Sequence, residues 1–200
     1  MNPVRASQLL LALAVLSVLL GLALLLKPAP DPLEKLAAET VCFGDMSAQP
    51  SFFPWQPGSG GDQYAARAIP VNARCGHCGM YPARTPQWAA QLIFENGTAV
   101  FFDSPLDLAQ FEERSKTLIQ AGTHGKVQVR YVTDYPRPGQ WVKRDEAWFV
   151  VGSQVLGPMR TADVPAFARQ ADAQAFAQQH QGQVYAWAKL PAVVLKRYQP

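Results

Sequence analysis

Cysteine is scarce in this chain, with three in 200 residues. Three thiols cannot all pair internally. Disulfide-stapled scaffolds are shorter and richer in cysteine, so that class is excluded. A dense block of Lys and Arg is also missing, and the formal charge is only +3. Nucleic-acid binding therefore has no support from charge. There is one Cys-x-x-Cys and no His-x-x-x-His, so a zinc site of four cysteines, or of two cysteines and two histidines, lacks its second half. No small-x-small cleavage signal closely follows the N-terminal apolar run; Lys27-Pro28-Ala29-Pro30 is a poor one.

That run is the first thing the chain does have. Leu9 to Leu26 is 18 residues without a charge, eleven of them Leu, bracketed by Arg5 and Lys27. A signal-peptide core usually runs only about 7–15 apolar residues, and about 18 is near the lower limit for spanning a bilayer. Its thirteen Leu and Val residues favour insertion by roughly 5 kcal/mol. It is apolar on every face, unlike a buried core helix with one stripe. We expect an uncleaved single anchor over residues 1–27 in the cytoplasmic membrane. Arg5 and the amino terminus favour a cytoplasmic N-terminal end. The rest would lie outside, in the periplasm of a diderm bacterium. Residues 28–74 read as a tether, with seven prolines and the run Gly58-Ser59-Gly60-Gly61. A short helix is expected at 33–40. The aromatic cluster Phe52, Phe53 and Trp55 is expected to pack on the domain beside it. Cys42 and Met46 form a looser pair that reads as incidental.

Residues 75–200 form the expected globular part. Trp88 to Phe94 and Thr98 to Phe102 read as strands joined by the hairpin dipeptide Asn96-Gly97. Ser104-Pro105 opens a helix, Ser as N-cap and Pro at the first helical position. Asp107 lies in its first turn, Leu108, Phe111 and Leu118 supply its apolar face, and Gly122 follows its end. Val127 to Val132 reads as the next strand. The order then recurs: a strand over Ala147 to Val151, a return segment through Gly157-Pro158-Met159, a helix over Asp172 to His180 and a strand over Val184 to Leu190. Phe102, Asp107 and Phe111 match Phe167, Asp172 and Phe176 at a constant offset of 65. The expected fold is α+β, two ββαβ repeats after an N-terminal transmembrane helix.

Cys75-Gly76-His77-Cys78-Gly79-Met80 gathers two thiols, an imidazole and a thioether within six residues. Three chemistries compete for it. A redox dithiol fits the Cys-Gly-His-Cys spelling, but such motifs open a helix that stabilises the thiolate, and here Gly79 and Pro82 follow. For zinc, the Cys-x-x-Cys is only half of a site. Cu(I) fits soft donors and needs only two or three of them. Cys78 and Met80 lie two apart, so an extended chain would project both to the same side. Met159 is a candidate third sulfur; it reads equally as a core gap-filler. A Cys75–Cys78 disulfide is the plain structural alternative.

Taken together, the segment CGHCGMYPARTPQWAAQLIFENGTAVFFDSP resembles the NosL family, accessory proteins of nitrous oxide reductase. Its Cys-x-x-Cys-Gly-Met motif, Trp-Ala-Ala-Gln strand and Phe-Asp element carry the resemblance. The stretches VTDYPRPGQWVKRDEAWFVVGS, GPMR and PAFARQADAQAFAQQHQGQVYAW extend it over about residues 75–190. The resemblance implies a fold related to organomercurial lyase and an outward-facing Cu(I) chaperone without catalytic turnover. It implies Cys78 and Met80 as copper ligands and Met159 as a third, with Cys75 and His77 as further ligands or exchange partners. Implied partners are an ABC-type membrane complex with its periplasmic subunit, and apo nitrous oxide reductase. The rival is a thiol-disulfide oxidoreductase that uses the CGHC pair to keep a cuproenzyme site reduced. Two departures from the family pattern stand out. No lipoprotein-type Cys follows Leu26, and Arg160 stands where the family usually has Gly.

Overall fold

A computed structural model describes residues 51–58, 60–115, 124–190 and 194. The expected anchor, the helix at 33–40, Cys42, Met46, Leu118 and Gly122 lie outside the described residues. Among the described residues no helix is long and apolar enough to cross a membrane.

The elements are β1 (Ala90–Phe94), β2 (Ala99–Phe102), α1 (Pro105–Arg114), β3 (Val127–Asp134), β4 (Arg137–Lys143), β5 (Trp148–Val151), β6 (Ala166–Phe167), α2 (Gln170–His180) and β7 (Gln183–Ala186). They build a mixed α/β fold with two antiparallel sheets, ordered β2-β1-β3-β4 and β6-β5-β7. In each sheet the earliest strand is central, with its hairpin partner on one side and the strand after the helix on the other. Helices α1 and α2 begin at Pro105 and Gln170, three residues after Phe102 and Phe167 respectively.

Local chemistry accounts for the first hairpin. Gly97 takes φ +78°, and the Asn96 Oδ1 accepts the Thr98 N–H at 3.0 Å. A Cβ on Gly97 would also meet the Trp55 Cβ at 2.7 Å, so the turn needs glycine twice over. Ser104 caps α1 by accepting the Asp107 N–H at 3.2 Å. Strand β4 goes beyond the expected elements. Pro138 and Gly139 argue against a central strand, but β4 is a sheet edge, where a missing N–H costs little. The last strand ends at Ala186 rather than Leu190, and Trp187–Lys189 form a 3-10 turn. That turn brings the Trp187 ring edge-on to Phe149, centroids 5.2 Å apart. Gly157-Pro158-Met159 lies in a turn, and the second unit's hairpin partner is Ala166–Phe167 instead.

Alternation places the core. From β1, Ala90, Leu92 and Phe94 face the main cluster with Val100, Phe102, Leu108 and Phe111. Phe149, Val151 and Val164 from the second unit complete that cluster. On the opposite face, Ile93, Ala99 and Phe101 are covered by Phe53, Tyr64, Ile69 and Ala73. The Pro-rich segment is therefore the second wall of the first sheet. Phe53 exchanges both backbone hydrogen bonds with Ala99 at 2.9 Å. Arg67 donates to the carbonyls of Phe53 and Gln63, each at 3.0 Å, and also to that of Gly97. Its own backbone pairs with the buried Gln91 side chain.

Candidate metal centre

The loop bearing Cys75 to Met80 is tied to the end of β2 and the start of α1. Gly76 N–H donates to the Phe101 carbonyl at 3.0 Å. A Cβ at Gly76 would come within 2.8 Å of both Phe102 Cε1 and Val100 Cγ1, so the loop sits directly on the core. Cys75 N–H donates to the Met80 carbonyl at 2.7 Å, closing the turn. Gly79 takes φ +75°, a left-handed conformation that favours glycine. The chain from Cys78 to Met80 is thus turned, not extended as expected. Met80 keeps its backbone beside Cys75 while its side chain is 40% exposed.

Cys75 is buried and Cys78 half-buried, and both are free thiols. Three backbone N–H groups, from His77, Cys78 and Asp103, approach the Cys75 sulfur at 3.4 Å each. Both thiols donate to the same Asp107 Oδ2, at 3.4 Å from Cys75 and 3.3 Å from Cys78. Asp103 Oδ2 lies 4.0 Å from the Cys78 sulfur, and its Oδ1 is buried without a hydrogen-bond partner among the described residues. One donor atom each from Cys75, Cys78 and Asp107 lie within 4.8 Å of one another. Two donors each about 2.3 Å from a shared soft ion sit at most roughly 4.6 Å apart, so little closure is needed.

Electrostatics favour the protonated form of both thiols. Burial pushes the Cys75 thiol well up, aided by Cys78. The hydrogen bond with Cys75 pulls the Cys78 thiol down, but burial and the Asp107 and Asp103 carboxylates together outweigh it and raise it. Burial, then Cys75 and the neighbouring carboxylates, pushes Asp107 well above the carboxylate range. Asp103 is raised to about 6 by burial and by Asp163. His77 is lowered to about 4 by burial and by Arg114, whose Nη1 lies 3.3 Å from its Nδ1. A nucleophilic dithiol works as thiolate, and this surrounding disfavours thiolate. A soft metal overcomes the same cost by replacing the thiol protons.

The structure brings Cys75 and Cys78 together, sets Met80 beside them through the backbone, and places His77 against Arg114. Met159 is half-buried in the turn spanning 157–161, which Gly157 N–H to Thr161 O closes at 2.8 Å. That turn packs on Asp163, since a Cβ at Gly157 would meet the Asp163 Cβ at 2.5 Å. Asp163 in turn acts electrostatically on Asp103 and Asp107. Asp103, Asp107 and Asp163 are site residues that the sequence reading did not nominate. Asp107 carried one usable signal, its place in the first turn of a capped helix, where a carboxylate faces whatever sits on the helix start. No α-helix follows Cys78, yet the start of α1 reaches the thiols from about thirty residues downstream.

The NosL family model matches residues 66–195, more than half of the chain. The crystal structure of the copper chaperone NosL from Shewanella denitrificans is similar at 25% identity and a TM-score of 0.48, over 63% of this chain and 95% of that one. The solution NMR structure of the apo-NosL protein from Achromobacter cycloclastes is similar at 26% identity and a TM-score of 0.35, over 53% of this chain and 87% of that one. No curated protein matches.

Proposed function

The chain belongs to the NosL family, and from that premise we propose that it is a membrane-anchored, extracytoplasmic Cu(I) chaperone with no catalytic turnover of its own. Its cargo would be held by Cys78 and Met80, with Met159 closing the site from the second unit. Cys75 and His77 would serve as further donors during exchange. The client we favour is nitrous oxide reductase, reached through an ABC-type membrane complex and its periplasmic subunit. The two β-β-α-β units are read as a duplication that left a metal site in the first only.

The observation that carries this reading is the pair of neutral thiols sharing one buried carboxylate oxygen beside the Met80 turn. Soft sulfur selects Cu(I) over hard ions. Metal binding replaces the thiol protons, which leave to solvent through the half-buried Cys78 side of the site. A low-coordinate ion held by a surface-exposed thioether leaves a side open for an acceptor's donor atom. An anchor would raise the effective concentration of the carrier near a membrane-embedded partner.

The test is an anaerobic Cu(I) competition titration of the full chain in non-ionic detergent, repeated with Cys78→Ala, Met80→Ala and Met159→Ala. Each substitution should weaken binding. Unchanged affinity in all three sinks the ligand set. Reduction of a disulfide substrate by the copper-free protein would favour the oxidoreductase reading instead.

A further inference from the structure

The arginines of the described residues divide by partner. Arg130 and Arg144 pair with Glu112, Arg137 with Asp134 and Asp172, and Arg169 with Asp172. Arg67 is used on three carbonyls and Arg114 lies on His77. Arg74, Arg84 and Arg160 have no carboxylate partner among the described residues. All three are exposed: Arg74 just precedes the Cys75–Met80 turn, Arg84 ends the short 3-10 turn that follows it, and Arg160 is on the Met159 turn. Arg74 and Arg84 place their guanidinium carbons 4.2 and 4.7 Å from the centroid of the Tyr81 ring, next to Met80. Arg160 follows Met159 directly and holds φ +57°, an uncommon conformation for a residue with a side chain.

We propose that Arg74, Arg84 and Arg160 form a docking collar for an acidic protein surface, carried by the partner that gives copper to or takes it from this chain. This rests on the copper-carrier reading of the site. Elsewhere on the domain, most guanidinium charge is neutralised within the chain, so it gives little long-range field. Around the two methionine turns it is left for a partner. The Arg–Tyr–Arg stack holds two cations in place without cancelling either, which preorganises them for carboxylates. Rim charges of this kind act on encounter rate and orientation more than on final affinity. Orientation is what metal exchange requires, because the acceptor's donor atom must arrive within bonding distance of the metal. An anionic lipid headgroup would match the charge but offers no soft donor, so the occupant is protein.

The experiment uses the copper-free, full-length protein in non-ionic detergent and a labelled, short Glu-rich peptide containing one His and one Met. Fluorescence anisotropy should report binding that weakens with salt, while a Lys-rich version of the peptide should not bind. Arg84→Glu with Arg160→Glu should weaken peptide binding about 10-fold at low salt. This pair spares Arg74, which also donates to the Gly79 carbonyl at 3.0 Å and supports the thiol turn. The remote pair Lys126→Glu with Lys189→Glu makes the same change in net charge and should alter binding less than about 2-fold. Equal losses in both pairs would mean bulk charge alone and overturn the proposal. So would undetectable peptide binding. Binding to phosphatidylglycerol vesicles lost in the arginine pair, with peptide binding retained, would make the collar a lipid contact and also overturn it. None of these readouts involves copper. Failure of the Cu(I) titration above would therefore strike the carrier reading separately.

Discussion

The starts of α1 and α2 each follow a strand that ends in Phe, at Phe102 and Phe167, yet their chemistry is opposite. Ahead of α1, the Asp103 N–H approaches the Cys75 sulfur; ahead of α2, the Ala168 N–H donates to Asp134 Oδ1 at 3.0 Å. In the first turn of α1, Asp107 accepts hydrogen bonds from two thiols; in the first turn of α2, Asp172 accepts from Arg137 and Arg169. Burial differs as well. α1 buries Leu106, Leu108, Gln110 and Phe111, whereas α2 fully buries only Ala173. Asp172 on α2 is already paired, with Arg169 just ahead of the helix and with Arg137 of β4. Ahead of α1, Asp103 Oδ1 is buried without a hydrogen-bond partner among the described residues, and both thiols are raised. The start of α2 is a structural strut held by ion pairs, and the start of α1 is a cluster of soft and acidic donors.

The contrast can be broken first through the helices. Phe111→Ala should cost about 3–5 kcal/mol, because it empties a core position. Phe176→Ala, at the matching half-buried position, should cost roughly half that. Urea denaturation of the two variants checks this, and equal losses would mean the halves share the burden of stability. Next in size is the metal. Cys78→Ser should lower Cu(I) affinity by more than about 100-fold, beyond what outer groups around a metal usually contribute. Asp172→Asn should leave it unchanged in the same competition titration.

A smaller effect sharpens the roles of the two aspartates. Asp107→Asn removes a carboxylate that raises the Cys78 thiol, so alkylation of Cys78 at neutral pH should speed up several-fold. Asp172→Asn should not change it. Smallest is the pH response of the copper-free protein. His77 is lowered to about 4, so the unfolded chain binds the extra proton between about 4 and 6.5, and this group adds stability as pH rises through that window. Asp103 is raised to about 6, so the folded chain holds the extra proton between about 4 and 6, and this group removes stability as pH rises. The two oppose each other. Asp103→Asn should therefore make the melting temperature climb more steeply from pH 4 to 6 than in the unaltered protein. Parallel curves would show that Asp103 is not held protonated.

Much of this was legible in the sequence, and the reasons are local. Asn96-Gly97 and Ser104-Pro105 carry their own backbone instructions, so the first hairpin and the start of α1 follow from short-range chemistry. The offset of 65 also marks the spacing of the two helix starts, Pro105 and Gln170. Strand β4 was not legible, because Pro138 and Gly139 are breakers everywhere except at an edge, and edge status depends on the whole sheet. Strand β6 was too short for any period to register. In the site, the thiols announced themselves by spacing. Asp103, Asp107 and Asp163 did not, because single carboxylates are common and only folding shows that these three converge. The expected extension from Cys78 to Met80 failed at Gly79, whose left-handed conformation is set by the turn that closes on Cys75.

Arg67 offers a last consequence. As a lone basic residue in a proline-rich stretch, it reads as an inviting place for a trypsin-like protease to cut. Its side chain is spent on three carbonyls and its backbone is clasped by Gln91. A protease must bind that side chain in its specificity pocket and straighten the chain around it. The bond after Arg67 should thus survive digestion until the first sheet itself opens. The earliest cuts among these arginines would fall after Arg84 or Arg160, so the digestion pattern would record the order in which the fold comes apart.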